Sequence, residues 1–272
     1  MNYTVDEKYM NHALELASKG LGHVAPNPMV GCVIVHNNQI ISEGYHEQYG
    51  SAHAEPNAIK KVSDELLKES TLYVTLEPCS HFGKTPPCAD LIISKGIKKV
   101  VVGNLDTNPL VSGKGIQKLK DAGIEVETDV CTESAAALNF GFLKAMSTGL
   151  PYVRLKIASS LDGRTAMASG ESKWITGAIA RQDVQHWRAI SGAVITGIQT
   201  VLADDCELNV RELDGIELST VVQPKRIVLD RQGQLPLSAK ILKNPETVMV
   251  MTPFRQELAD LGVIQLTPQP LS

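Results

Sequence analysis

Two hydrophobic periods alternate along the first half of the chain. Across residues 6–19 the apolar positions Met10, Ala13, Leu14 and Ala17 fall on one face of a helix, and Gly20 ends it. Residues 30–35 form a continuous apolar run, which reads as a buried strand. His36-Asn37-Asn38-Gln39 supplies a turn and residues 40–44 a returning strand, so a hairpin is expected. From Glu55 onward, Pro56, Ala58, Ile59, Val62, Leu66 and Leu67 predict a single helix, with Pro56 suited to its first turn. Residues 71–76 read as a strand, 88–95 as a helix stopped by Gly96, and 99–103 as a strand. A helix over 116–122, a strand over 124–127 and a long helix over 133–146 complete the half. Strands alternating with helices imply an α/β fold layered about a sheet.

Ser147-Thr148-Gly149-Leu150-Pro151 then breaks the pattern. Beyond it, strands are expected over 152–158, 193–197, 226–229, 248–251 and 263–266. A helix is expected over 178–190 and a short one around Val201. A chain of 272 residues exceeds the usual single-domain size, and the break sets the expected domains at 1–147 and 151–272. Hydrophobic content of 43% suffices for two cores, and 4% aromatic content means aliphatic packing must dominate them.

Net charge of −4 and a pI near 6.0 argue against a nucleic-acid-binding surface, which is strongly basic. No apolar run reaches the length of a membrane span, and residues 1–7 lack the features of a signal peptide. Five cysteines are an odd number and do not read as a disulfide framework. A cytoplasmic location is expected.

The chemistry concentrates in His53-Ala54-Glu55, Pro78-Cys79 and Cys88. One imidazole and two thiolates are ligands that zinc prefers, and three protein ligands leave a coordination position for water. Glu55, two residues from the histidine, is placed to handle protons. The arrangement follows the zinc-deaminase pattern of histidine-x-glutamate and proline-cysteine, except that eight residues separate the cysteines rather than two. That polar insertion, Ser80 to Pro87, is expected at the mouth of the site. Cys32 in its apolar run reads as a buried small hydrophobe. Cys131 and Cys206 have no metal-type neighbours.

These residues resemble the bifunctional deaminase/reductase family of bacterial riboflavin biosynthesis, the RibD family. The resemblance runs through Pro26-Asn27-Pro28-Met29-Val30-Gly31, His53-Ala54-Glu55 and the whole stretch from Thr75 to Cys88. It resumes at Ser160-Leu161-Asp162-Gly163-Arg164-Thr165-Ala166, Gly170-Glu171-Ser172 and Val201-Leu202-Ala203-Asp204-Asp205. Pro56 and Thr107 depart from the family pattern without removing a chemical group.

What the resemblance implies is a cytidine-deaminase-like three-layer αβα domain followed by an incomplete dihydrofolate-reductase-like α/β domain. The first implied reaction is zinc-dependent hydrolytic deamination of 2,5-diamino-6-ribosylamino-4(3H)-pyrimidinone 5′-phosphate. The second is NADPH-dependent reduction of the ribosyl group to ribityl. His53, Cys79 and Cys88 match the Zn2+ ligands and Glu55 the catalytic group. Asn27, His46, His81, Lys84, Asp106 and Asn108 match positions that contact the pyrimidine or its ribose phosphate. In the second domain Ala158, Trp174, Thr200 and Asp204 match cofactor positions, and Ser172, Arg188, Leu208 and Arg211 match substrate positions. No G-x-G-x-x-G follows a strand, which disfavours a Rossmann site. The family continues past Ser272 with a strand and a glycine-rich segment, so reduction is expected to be absent or crippled here. A homo-oligomer acting on a small molecule, away from nucleic acid and membrane, completes the expectation. The rival readings are a nucleic-acid or nucleoside deaminase, and a deaminase whose second domain is not catalytic.

Overall fold

In the computed structural model of the chain, which describes residues 3–82, 86–109 and 112–267, Thr4 opens the first helix, α1 (Val5–Ser18). Its hydroxyl accepts from Glu7 N at 3.2 Å while the Glu7 carboxylate accepts from Thr4 N at 2.7 Å. Such a reciprocal cap contributes about 1 kcal/mol. The chain divides into two units, Met1–Leu155 and Lys156–Ser272.

In the first unit, β1 (Gly31–His36) and β2 (Gln39–Tyr45) form the hairpin, and β1 also pairs antiparallel with β3 (Thr71–Val74). β3, β4 (Lys99–Val102) and β5 (Glu125–Glu127) are parallel, giving the order β2-β1-β3-β4-β5 among the described residues. Side chains alternate across this sheet with period two. Cys32, Ile34, Leu72, Val74, Val100 and Val102 face α2 (Ala54–Ile59), α4 (Cys88–Lys95) and α5 (Lys114–Asp121), burying Ala58, Ile92 and Leu119. Val33, Val35, Tyr73 and Val101 face the other way, onto Tyr9, Met10, Ala13 and Leu16 of α1. α6 (Thr132–Thr148) packs beside α1. Helices therefore cover both faces, which is the expected three-layer αβα arrangement.

The second unit carries a parallel sheet in the order β6-β7-β8-β9 (Ala193–Gly197, Lys225–Leu229, Val248–Met251, Ile264–Leu266). Its core is aliphatic, as the composition requires: Val228, Val248 and Val250 pack with Val201, Leu235, Ile241 and Leu258. The helices are α7 (Ala178–Ala189), α8 (Ile198–Asp204) and α9 (Gln256–Asp260). No helix among the described residues is long and apolar enough to cross a membrane.

Three local expectations change. The single helix from Glu55 to Leu67 is two, α2 and α3 (Asp64–Leu67). Lys61 and Val62 close short turns onto Ala58 and Ile59, and Ser63 is extended at φ −69°, ψ 151°, which starts a new helix. The stretch 152–158 joins no ladder, and Val153, Leu155 and Ile157 stay exposed. Alternation records a preference for extended backbone, but a strand needs a partner. α9, five residues long, is too short to show a helical period.

Candidate metal centre

Separate elements bring three soft donors to one point. His53 is the N-cap of α2 and Glu55 lies in its first turn. Cys88 is the first residue of α4, and Cys79 arrives from the end of β3. His53 Nδ1 lies 3.7 Å from Cys79 Sγ and 3.3 Å from Cys88 Sγ, and all three donor atoms fall within 4.8 Å of one another. A tetrahedral zinc, bound at about 2.3 Å to sulfur and about 2.0 Å to nitrogen, holds its ligands roughly 3.6 Å apart. The donor set and its spacing fit one zinc ion. Among the described residues this is the one such cluster.

The backbone prepares the sulfurs for that charge. Cys88 N donates to Cys79 Sγ at 3.3 Å, and Ala89 N donates to Cys79 O at 3.1 Å, so the start of α4 grips Cys79 at two points. The Cys88 thiol, the imidazole and this N–H together hold the Cys79 thiol down to about 4. The Cys88 thiol is pushed up by its bond to the Cys79 sulfur and by burial. His53 is raised by its contact with Cys79. Glu55 is only 3% exposed, and burial raises its carboxyl above the ordinary 4.5.

Of the other expected contacts, two stand beside the cluster. The His46 ring meets His53 edge-on at 5.6 Å. His46 Nδ1 lies 3.0 Å from the Ala52 carbonyl, which can only accept, so the proton sits on Nδ1 and leaves Nε2 to accept from Asn27 Nδ2 at 3.2 Å. Burial keeps His46 neutral by lowering its pKa. Asn27 is thereby held with its amide nitrogen turned to His46. Asp106 is buried, within electrostatic reach of His81 and Cys79, and burial raises its carboxyl. Its Oδ1 accepts from Asn108 N at 2.8 Å, forming a tight turn. His81 is exposed at the start of the long cysteine loop. Lys84 lies outside the described residues. Thr107, the family departure, donates its hydroxyl to Leu143 O of α6 at 2.8 Å.

Two residues that sequence reasoning did not single out hold this architecture. Asn139, at a break in α6 with φ −126° and ψ 22°, bonds both Met29 N (2.8 Å) and Met29 O (2.7 Å) and so pins the Asn27 loop. Glu77, two residues before Cys79, is 4% exposed and accepts from four backbone N–H groups: those of Asp106, Gly113, Gly115 and Ile116. A carboxylate at the end of a buried apolar run was the available signal for Glu77.

In the second unit, Ser172 Oγ and Asp204 Oδ1 are 3.5 Å apart. Trp174 is exposed, with the Arg181 guanidinium 4.3 Å from its ring centre. Arg188 donates to Asn209 O at 2.9 Å, beside Leu208, and both burial and the neighbouring Arg211 lower its pKa. Like-charged arginines this close suit an anionic group between them. Thr200 is exposed in α8, and Ala158 is half-buried in the unpaired stretch. An exposed indole, a hydroxyl–carboxylate pair and two arginines are groups that fit a phosphorylated nicotinamide cofactor and a sugar phosphate.

Residues 3–104 match the family model of the cytidine and deoxycytidylate deaminase zinc-binding region, and residues 151–271 match that of the RibD C-terminal domain. The chain is 50% identical over 238 residues to the riboflavin biosynthesis protein RibD of Bacillus amyloliquefaciens, covering 88% of this chain and 62% of that protein. It is 49% identical over 247 residues to RibD of Escherichia coli K12, covering 88% and 67%. Among solved structures, Acinetobacter baumannii RibD superposes with a TM-score of 0.93 at 66% identity, over 98% of this chain and 75% of that one. The Thermotoga maritima diaminohydroxyphosphoribosylaminopyrimidine deaminase/5-amino-6-(5-phosphoribosylamino)uracil reductase gives 0.84 at 42% identity, over 96% and 73%. With both of its halves matched and two thirds of a close relative spanned, the chain belongs to the RibD family of riboflavin biosynthesis proteins.

Proposed function

We propose that the first domain, residues 1–147, removes the 2-amino group of 2,5-diamino-6-ribosylamino-4(3H)-pyrimidinone 5′-phosphate as ammonia. The observation that carries this reading is the meeting of His53 Nδ1 with the Cys79 and Cys88 sulfurs beside a buried carboxyl two residues from the histidine. His53, Cys79 and Cys88 would hold zinc, which when bound would supply a Lewis acid able to lower the pKa of a water to about 7. Glu55 takes one proton from the attacking water and delivers it to a ring nitrogen as the oxygen bonds to C2; it then takes the second proton from that oxygen and delivers it to the amine, which leaves as ammonia as the C2 carbonyl forms. Such positioned proton transfer contributes on the order of 10²–10⁴-fold. Asn27, fixed by His46, faces the base, while His81, Lys84, Asp106 and Asn108 hold the ring edge and the ribose phosphate.

The second domain, residues 151–272, serves the NADPH-dependent reduction of the ribosyl group. Ala158, Trp174, Thr200 and Asp204 are assigned to the cofactor, and Ser172, Arg188, Leu208 and Arg211 to the substrate. The enzyme works in the cytoplasm as a homo-oligomer on small molecules; its net charge of −4 does not suit nucleic acid. Ammonia release from the diaminopyrimidine phosphate, with zinc measured in the same preparation, tests the first activity. NADPH oxidation with the deaminated product tests the second. A zinc-loaded chain that releases no ammonia refutes the deaminase reading.

A further inference from the structure

Glu77 does more than fill the end of a strand. Its own N–H donates to Asn104 O at 2.9 Å, which ties β3 to the segment leaving β4. Its carboxylate then reaches into that segment. Oε2 accepts from Asp106 N at 3.2 Å and Gly113 N at 3.0 Å, and Oε1 accepts from Gly115 N at 3.0 Å and Ile116 N at 3.3 Å. α5 begins after Gly113, a left-handed residue (φ 75°) with no side chain to cap the helix. Its first N–H groups would be orphaned without an acceptor, and a buried anion is the strongest one available.

Gly115 completes the contact. A Cβ there would stand 2.1 Å from Pro78 O, so the first turn of α5 lies directly against the backbone that presents Cys79. One carboxylate thus joins the segment carrying a metal ligand to the turn carrying Asp106 and Asn108. Cys79 has independent supports in Cys88 N and Ala89 N. Asp106 N has Glu77 as its acceptor.

We propose that Glu77 is a positioning residue for substrate: it fixes the Asp106–Asn108 turn at a set distance from the metal ligands, and it acts on binding rather than on the chemical step. The proposal rests on the deaminase reading, since it takes that turn to face the ribose phosphate. Glu77→Gln keeps the size but turns an amide N–H₂ toward one pair of backbone donors. The expected result is a KM for the diaminopyrimidine phosphate raised about tenfold or more, with kcat within about threefold, because a displaced contact loses binding uniformly. Zinc content stays at the wild-type value and the visible spectrum of the cobalt-substituted protein is unchanged. Amide exchange at Asp106 and Gly113 accelerates in the variant.

A folded Glu77→Gln protein with lowered stability but unchanged KM overturns the proposal, and so does loss of zinc with kcat falling at constant KM. If Glu77→Gln does not fold, Glu77→Asp keeps the charge on a shorter arm and must show the same KM shift. Wild-type protein that shows protected amides at Asp106, Gly113, Gly115 and Ile116 yet releases no ammonia leaves the brace standing and sinks the functional reading. Unprotected amides at these positions in an active enzyme do the reverse.

Discussion

Gly44→Ala offers a direct test of how the sheet sets α2, the helix that carries His53 and Glu55. Gly44 lies in β2 opposite Cys32 of β1, with its open side against α2. A Cβ there would sit 2.6 Å from Ala58 N, 2.7 Å from Ala54 O and 2.8 Å from Asn57 C. All three are backbone atoms, so no side chain can rotate away. Ordinary contact begins at 3.4 Å, so α2 must retreat from β2 by about 0.8 Å. Overpacking of this kind costs about 1–3 kcal/mol. The retreat also strains the ties between the two elements, Ser42 Oγ to Ala58 O at 2.7 Å and Asn57 Nδ2 to Tyr45 O at 2.9 Å. Because α2 carries His53 and Glu55 at its start, the same displacement moves the proposed ligand and the proposed proton carrier together. A misplacement near 1 Å can reduce turnover by about 10²-fold.

The aromatic residues allow the two units to be followed separately. All six tyrosines lie within residues 3–152, and both tryptophans, Trp174 and Trp187, lie beyond residue 156. Urea unfolding of Gly44→Ala, read by near-ultraviolet tyrosine circular dichroism, is expected to show a lower midpoint, with the tryptophan signal unchanged. Gly141→Ala in α6 is the control: a Cβ there meets nothing within 4 Å, so it is expected to gain about 0.5–1 kcal/mol from helix propensity. A Gly44→Ala protein with wild-type midpoint and full ammonia release would refute the claim that this contact sets α2.

Three further outcomes follow from the same geometry. Glu55→Gln is expected to bind zinc as the wild type does, by metal analysis, while ammonia release falls by about 10²–10⁴-fold; a folded, zinc-loaded variant with normal turnover removes Glu55 from the mechanism. Burial raises the Asp106 carboxyl above 3.8, so the folded state holds that proton more tightly than the unfolded chain and loses stability as pH rises through the raised value. Asp106→Asn has no such titration, so its urea midpoint should gain on wild type as pH rises from below 3.8 and level off above the raised value; a gap that narrows with rising pH contradicts the assignment. Asp230, fully buried after β7, accepts from Gln234 N at 2.9 Å and Leu235 N at 2.8 Å. Asp230→Ala leaves Leu235 N buried without its acceptor, while Gln234 is exposed, at a cost of about 1–3 kcal/mol, expected as an earlier tryptophan transition with the tyrosine transition in place.

How much of this was legible in the sequence depends on what kind of partner each residue has. The boundaries of α4 and β6 and the β1–β2 hairpin follow from period and turn chemistry, which are local. The split between α2 and α3 was hidden because Val62, Leu66 and Leu67 continue a helical spacing across the break at Ser63, where only the backbone angles differ. The apolar alternation at 152–158 was legible as a preference and misleading as a strand, since pairing is a property of two segments. His53, Cys79 and Cys88 could be singled out because a metal constrains the type of its ligands: few residues can serve, and their rarity makes a spacing conspicuous.

Glu77 and Asn139 show where that reasoning stops. Their partners are backbone N–H and C=O groups, 29 to 39 residues away for Glu77 and 110 away for Asn139. Every residue except proline presents the same N–H, so a carboxylate that needs four of them leaves no complementary mark anywhere in the chain. Gly115 left a trace, but its meaning depends on knowing that Pro78 O lies against it. The groups that perform the chemistry are therefore named by composition and spacing, and the groups that hold them at working distance are named only by the fold. For this site the second set decides the geometry: Cys79 has its ligand chemistry from the sulfur but its place from Cys88 N and Ala89 N, and the Asp106–Asn108 turn has its place from Glu77. A transplant of the three ligands and Glu55 into an unrelated sheet, without a carboxylate two residues before the first cysteine, should bind zinc and fail to bind the pyrimidine phosphate.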